Sequence, residues 1–215
     1  MARPRENKAA PRKLLVEGKD DLYVVANLCG QNGIAMPETF FINDKDGIEN
    51  LLSTLSVELN ASELQALGIL VDADTDIQAR WQSIRDILIR EGLSVPAQPT
   101  PNGTILYTED KPKVGIWLMP DNQPHDGLPG LLEQFVAELI PGDDTLWPYA
   151  QNCVGNIPEQ RFSEVARAKA NIHTWLAWQE EPGKPMGTAI TARYLDPDSA
   201  RAQDFISWLR ALFIS

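Results

Sequence analysis

Three short apolar runs, each followed by a segment of helical periodicity, constrain the fold of this chain most strongly. The runs span residues 13–17, 39–43 and 67–72, which is the length of a buried strand rather than of a helix. After each run, apolar residues recur at the spacing of one face of an amphipathic helix. This alternation, with short connections, predicts an α/β fold with a mostly parallel central sheet flanked by helices.

Acidic residues stand at the ends of two of these runs. Glu17 ends the first run, and Asp72 and Asp74 follow the third. The carboxyl ends of parallel strands meet at one edge of a sheet, and residues two apart in a strand lean to the same face. Asp21, one helical turn beyond Glu17, is expected to face back toward it. Such a set of hard oxygen ligands suits Mg²⁺ or Mn²⁺ and predicts a metal-dependent phosphoryl-transfer site.

Strand-end acidic residues also cap helices, and this alternative applies to the whole cluster. For Asp76, directly before Ile77, an N-cap is the preferred interpretation. A calcium loop of EF-hand type is excluded, because it would need Gly at Ile77 and Glu at Ser83.

The rest of the chain predicts a mixed sheet and a helical tail. Runs at 104–107 and 114–119 indicate a hairpin, and a helix is expected over 128–140. We expect Trp175, Trp178 and Trp208 to be core residues. The predicted organisation is a flexible arm at 1–11, an α/β core at 12–140 and a mostly helical extension at 141–215 packed on it. That extension is expected to carry an apolar stripe through Phe162, Val165, Ile172, Trp175 and Leu176, a second stripe on a terminal helix, and a long loop over 180–195 between them.

Composition limits the classes of protein. No apolar run approaches the roughly 20 residues that span a bilayer, so we expect a soluble, cytoplasmic protein without a membrane partner. Cys29 and Cys153 do not form a disulfide framework, and Cys29 is expected to be a small buried residue. The two histidines have no metal-ligand spacing, which argues against zinc.

The charge is unusual for a nucleic-acid enzyme. The formal net charge is −11, and the first thirteen residues hold five basic side chains and one acidic, or +4, so the remainder carries −15. Binding a polyanion usually needs a basic surface. Nucleic acid stays a candidate partner only if a divalent metal or a partner protein offsets the repulsion. The sequence does not indicate an oligomeric state.

The acidic motifs resemble those of a known domain. Glu17-Gly18 after an apolar strand, Asp21 four residues after Glu17, and Asp72-x-Asp74 after a third strand resemble the Toprim domain. That family includes type IA topoisomerases, topoisomerase II, bacterial primases, small 5S-rRNA-maturing nucleases and the overcoming-lysogenization-defect nucleases. The Toprim resemblance covers about residues 12–140. The whole chain resembles an uncharacterised bacterial family with a Toprim-like fold, the domain of unknown function 3226.

The resemblance implies roles for these residues. In Toprim proteins the Glu is a general acid/base or a metal ligand, which is the role implied for Glu17. The Asp pair binds Mg²⁺, which is the role implied for Asp72 and Asp74, and the nuclease branch adds the carboxylate matched by Asp21. An ATPase accompanies the Toprim part in overcoming-lysogenization-defect systems, so a separate ATPase is a candidate partner. This chain has no Walker-type phosphate loop of its own.

Two residues from later in the chain complete the expected site. Lys169 lies between Val165 and Ile172 on an apolar stripe, so its ammonium either extends to solvent or points at the acidic cluster. The nuclease branch carries a later acidic residue and a lysine, and Glu133 and Lys169 are assigned to these by position. Glu17 and Lys169 are thus the expected catalytic residues, and the expected metal ligands are Glu17, Asp21, Asp72, Asp74 and Glu133.

Three functions are compatible with these features. The first is a Mg²⁺-dependent Toprim-type nuclease, or nuclease subunit of a defence or toxin-like system. The second is a Toprim-fold binding module that is non-catalytic or depends on a partner, which the acidic charge favours. The third is a phosphohydrolase acting on a small phosphorylated molecule.

Overall fold

Five strands form one central sheet in the computed structural model, which describes residues 10–125 and 129–214. The strand order is β2-β1-β3-β5-β4, and every pairing is parallel except that of β4 with β5. The α/β prediction and the hairpin prediction are therefore confirmed. The strands are β1 (Arg12–Val16), β2 (Phe41–Asp44), β3 (Ala66–Asp72), β4 (Thr104–Leu106) and β5 (Lys113–Met119).

Helices cover both faces of this sheet and form two apolar cores. One core contains Leu14, Leu70 and Trp117 and is closed mainly by α1 and α8. The other contains Leu15 and Ile69 and is closed by α2 and α3. Successive strand residues thus point to opposite cores, as the period of a strand requires. The helices are α1 (Lys19–Gln31), α2 (Ile48–Leu59), α3 (Ile77–Arg90), α4 (Leu132–Ala137), α5 (Leu146–Gly155), α6 (Arg167–Leu176), α7 (Met186–Thr191) and α8 (Ala200–Phe213), with a 3₁₀ turn at Glu164–Ala166.

Two glycines explain how closely the terminal helix approaches the sheet. Gly68 of β3 lies beside Gly115 of β5 in the register. A Cβ at Gly68 would lie 3.2 Å from Leu212 Cδ2, and one at Gly115 would lie 2.5 Å from it. The glycine pair makes a flat patch that seats Leu212, which fixes α8 on the face of the sheet that also carries α1.

Several local predictions are confirmed. Cys29 is fully buried in α1, where burial raises the pKa of its thiol to about 12. Asp76 is the N-cap of α3, and its Oδ1 accepts a hydrogen bond of 2.9 Å from the Ala79 amide. Trp175 and Trp208 are buried in the core.

Other predictions need correction. The loop expected over 180–195 contains α7, whose Gly187 backbone lies against Tyr23 of α1. The helix expected over 128–140 is only α4, because the chain before it is held in a bridge between Gly130 and Asp74. Val165 and Trp178 are exposed rather than core residues, since the chain at Val165 is a 3₁₀ turn on the surface and Trp178 follows the end of α6.

The expected N-terminal arm lies largely outside the described residues. Of residues 1–11 the structure describes only Ala10, which is buried, and Pro11, whose carbonyl accepts a hydrogen bond of 2.6 Å from the Gln65 amide. No helix in the described ranges is long and apolar enough to span a bilayer.

Candidate metal centre

An acidic cavity of about 490 Å³ lies at the carboxyl edge of β1, β2 and β3. It contains the predicted residues Glu17, Asp21, Asp72, Glu133 and Lys169. The strands deliver the first and third of these, α1 delivers the second, and helices α4 and α6 deliver the last two. The parallel sheet thus brings together residues that are far apart in sequence, at the edge where ligands of open α/β sheets bind.

The ends of β1 and β3 are tied together through the two strand-end carboxylates. Glu17 Oε1 accepts a hydrogen bond of 2.8 Å from the Asp72 amide. Asp72 Oδ1 in turn accepts one of 2.9 Å from the amide of Leu132, the first residue of α4. These bonds orient both carboxylates, and they also bring the start of α4 to the edge of the sheet.

Asp21 is held in the first turn of α1. Its Oδ2 accepts a hydrogen bond of 3.0 Å from the Gly18 amide, and the residue is only 7% exposed. Burial, followed by the neighbouring charge of Glu17, raises the pKa of Asp21 to about 7. The helix start supplies a hydrogen bond to the carboxylate but does not offset its desolvation.

The other two strand-end carboxyls are perturbed in the same direction. Burial raises the pKa of Asp72 well above its ordinary value, and the charges of Asp21, Glu17 and Glu133 add to the effect. Burial also raises the pKa of Glu17, although its hydrogen bond from Asp72 and the charge of Arg80 oppose this. Carboxyl groups that are crowded and desolvated bind protons or cations strongly, and such groups cluster at functional sites.

Lys169 places a cation beside this cluster. Its Nζ lies 3.5 Å from Glu133 Oε1, and its side chain is 53% exposed while that of Glu133 is 10% exposed. The ammonium therefore faces the acidic cavity from the solvent side. Both alternatives drawn from the sequence describe part of this position, since Lys169 reaches water and the acidic cluster together.

Asp74 is directed differently from Asp72. Strand β3 ends at Asp72, and Asp74 adopts a left-handed backbone conformation with φ of 52°. Its carboxylate forms an ion pair with Arg80, and its side chain is 50% exposed. The alternation of a strand does not extend to Asp74, so its side chain does not line the acidic cavity, although its charge acts on Glu17.

Comparison with known proteins places the chain in a family. The model of the family described as "Protein of unknown function (DUF3226)" matches residues 11–214. The chain belongs to this family. The search of curated proteins and the search of solved structures each found no match.

Several residues at the site escaped prediction from the sequence. Asp44 and Asp46 line the cavity from the end of β2, and the rule that selected Glu17 and Asp72 would have selected Asp44 too. Arg80 of α3 donates from Nε to the Asp72 carbonyl at 3.0 Å and pairs with Asp74. The sequence feature that could have identified Arg80 is its position one helical turn after the N-cap Asp76, which places it near the end of β3.

Residues 120–122, which follow β5, do not line the acidic cavity. Because β5 is parallel to β3, the segment reaches the same edge of the sheet. Asp121, however, is buried against His125, at 2.8 Å from Nε2, and against Arg201, at 3.2 Å from Nη2. These contacts with His125 and Arg201 account for Asp121 without any role as a ligand in the acidic cavity.

The donors of the acidic cavity fit a hard divalent cation in chemistry. They are oxygen atoms of partly or fully buried carboxyl groups with raised pKa values, and a bound cation would favour their ionised form. Among the described residues, no group of three His, Cys, Asp or Glu side chains is already placed to hold an ion. The carboxylates therefore need side-chain adjustment to share one cation.

Proposed function

We propose that this protein is a Mg²⁺-dependent or Mn²⁺-dependent hydrolase of phosphodiester bonds, of Toprim type, that acts as a nuclease or nuclease subunit. The observation that carries the proposal is the convergence of Glu17, Asp21 and Asp72 on one cavity at the carboxyl edge of parallel strands. A structural role alone gives little reason to place three acidic groups with raised pKa values beside each other in partly desolvated positions.

Glu17, Asp21, Asp72 and Glu133 would hold the cation. When bound, it would lower the pKa of a coordinated water and neutralise charge on phosphoryl oxygens. Displacing protons from Asp21 and Asp72 accompanies binding, so affinity should rise with pH through the neutral range.

Two side chains are suited to proton transfer and charge stabilisation. Glu17 has a raised pKa and a carboxylate oriented by the Asp72 amide, which suits a general acid or base. Lys169 lies at the exposed rim beside Glu133, from where its ammonium would reach a phosphoryl oxygen and its charge would stabilise the transition state. Asp74 acts at a distance by holding Arg80 against the end of β3.

The distribution of lysines limits the substrate. Lys13 and Lys45 both pair with Glu58, at 2.7 and 2.6 Å, and Lys113 donates to the Ala211 carbonyl at 2.8 Å. These lysines do not form a basic groove of the kind that binds a duplex. With the strongly acidic body, this favours a single strand, a strand end or a small nucleotide, unless a partner such as an ATPase supplies the basic surface.

Cleavage assays test this proposal directly. Plasmid, single-stranded DNA and RNA would be incubated with Mg²⁺ or Mn²⁺ and with wild type, Asp72→Asn or Asp86→Asn. Asp86 is an exposed acid on α3 and provides a matched control. We expect metal-dependent cleavage by wild type and Asp86→Asn and its loss in Asp72→Asn. Equal cleavage by all three proteins would place the activity outside the acidic cavity or in a contaminating nuclease, and would contradict the proposal.

A binding module without turnover is the second candidate. It is favoured by the acidic surface and by the absence, within the described residues, of three ligands already placed for an ion. A binding module would bind metal at the acidic cavity but would cleave no nucleic acid, with or without an added ATPase partner.

A further inference from the structure

A second cavity, of about 510 Å³, adjoins the acidic cavity and shares the side chain of Glu133 with it. We call it the Trp147 cavity. It lies between α4, α5 and α6, and Trp147, Gln151, Ala168 and Asn171 are among its lining residues. Its volume is within the range of roughly 300–1,000 Å³ typical of small-ligand sites. A ligand that fills it would extend one end past Glu133 to the acidic cavity.

One buried polar atom in this wall has no partner. Asn171 Oδ1 is inaccessible to solvent and accepts no hydrogen bond from the described residues. An unsatisfied buried acceptor costs about 1–3 kcal/mol, so turning the Asn171 amide into the cavity that the residue lines, toward a ligand donor, would be favoured. An amide presents a donor and an acceptor side by side, which is the arrangement that pairs with the edge of a nucleobase.

The charges of the wall select against an anionic ligand inside this cavity. Arg167 is engaged by both carboxylate oxygens of Glu164, each at 2.8 Å. Glu133 and Glu138 also line the cavity, so acidic side chains outnumber basic ones there. A phosphate is thus disfavoured within it, whereas a neutral heteroaromatic ring carrying N–H donors is not.

An aromatic surface is present for such a ring. Trp147 is half-buried at the start of α5, and its amide is fixed by a hydrogen bond of 2.8 Å to Asp144 Oδ1. Indole rings stack with nucleobases, typically for about 1–3 kcal/mol per base. A stacking surface and an amide edge in one cavity match the way enzymes hold a single unpaired base.

We infer that the Trp147 cavity binds the nucleoside of a nucleotide or of an unpaired strand end, with its phosphate directed past Glu133 into the acidic cavity. This inference rests on the proposed function and deepens it by naming the part of the substrate that is recognised. The cavity accommodates one nucleoside, so the substrate is a dinucleotide or a terminal, unpaired nucleotide of a strand rather than the interior of a duplex.

The test separates the nucleoside from the phosphate. Binding of adenosine, uridine and ribose 5-phosphate would be measured by ligand-observed NMR in EDTA. The proteins would be wild type, Ala168→Trp, which fills the cavity, and Ala177→Trp, the same substitution at the exposed end of α6. We expect a nucleoside to bind wild type and Ala177→Trp equally, and about tenfold more weakly to Ala168→Trp. Ribose 5-phosphate should not bind without metal.

Asn171→Leu and Asp86→Asn complete the design, with circular dichroism to verify folding. Asn171→Leu should weaken nucleoside binding about tenfold, whereas Asp86→Asn should not change it, because Asp86 is exposed on α3 and lines neither cavity. No nucleoside binding by wild type, or equal binding by Ala168→Trp and Ala177→Trp, would overturn the inference.

Cleavage data keep the two proposals distinguishable. Nucleoside binding without any metal-dependent cleavage would leave the cavity assigned and refute the nuclease. Metal-dependent cleavage with no nucleoside binding would do the reverse. Where both hold, faster release of mononucleotides from single strands than from blunt duplexes would identify a strand end, and hydrolysis of dinucleotides alone would identify a dinucleotide as the substrate.

Discussion

Replacing Asp21 by Asn should stabilise the protein at alkaline pH, although it removes a charge from the proposed site. The carboxyl is buried among other carboxyls, and its pKa is raised from 3.8 to about 7. A carboxyl whose pKa is raised in the folded state does not lower the free energy of unfolding below its unfolded-state pKa, because it is protonated in both states. Its destabilising effect grows as pH rises from about 4 toward 7 and is complete above that value.

The size of the effect follows from this shift. One pKa unit corresponds to about 1.36 kcal/mol, so ionised Asp21 destabilises the metal-free fold by up to about 4 kcal/mol at pH 8. The hydrogen bond from the Gly18 amide can still be accepted by the Asn amide oxygen. Loss of a favourable charge at the start of α1 offsets about 0.3–1 kcal/mol. A net gain of about 3 kcal/mol at pH 8 is therefore expected.

Urea unfolding in EDTA at pH 5 and pH 8 measures this gain. The difference in free energy of unfolding between Asp21→Asn and wild type should be larger at pH 8 than at pH 5. Asp20→Asn is the matched control, because Asp20 is the exposed neighbour on the same helical turn and should change stability by under about 0.5 kcal/mol. A variant that is less stable than wild type at pH 8, or a difference that does not depend on pH, would refute the reasoning.

Three further substitutions test the account. Asp72→Asn should lower metal-dependent cleavage at least about 100-fold and Asp74→Asn less than tenfold, since Asp74 faces Arg80 outside the cavity; equal losses in steady-state rate would contradict this. Glu58→Gln should destabilise by about 3 kcal/mol in urea unfolding, because it leaves the buried Lys13 without its counter-charge, and an unchanged midpoint would contradict a buried ion pair. Gly187→Ala should destabilise by about 1–3 kcal/mol, because its Cβ would lie 2.7 Å from the backbone of Tyr23; an unaltered thermal midpoint would show that α7 is not packed this closely.

The sheet and the origin of the site could be predicted because both depend on local patterns. Apolar runs of strand length mark β1, β2 and β3, and a parallel sheet necessarily brings their carboxyl ends to one edge. Glu17 and Asp72 were therefore placed near each other from the sequence alone. Asp44 follows from the same rule applied to β2.

The parts that could not be predicted depend on long-range contacts. Asp74 lies beyond the end of β3, where its pairing with Gly130 sets its backbone conformation. The two-residue alternation of side chains in a strand could not predict this contact. The length of α4 depends on the same contact. Helix α7 is a short segment whose burial comes from packing against α1, and its sequence, interrupted by Gly187 and flanked by Pro185, has the composition of a loop.

Counting bound Mn²⁺ by electron paramagnetic resonance at pH 8 tests the central claim most directly. We expect wild type and Asp74→Asn to bind Mn²⁺, and added Mg²⁺ to displace it, whereas Asp72→Asn should bind Mn²⁺ at least about tenfold more weakly. Two results would show that the acidic cavity is not a metal centre: no Mn²⁺ binding by wild type, or equal Mn²⁺ affinity of wild type and Asp72→Asn.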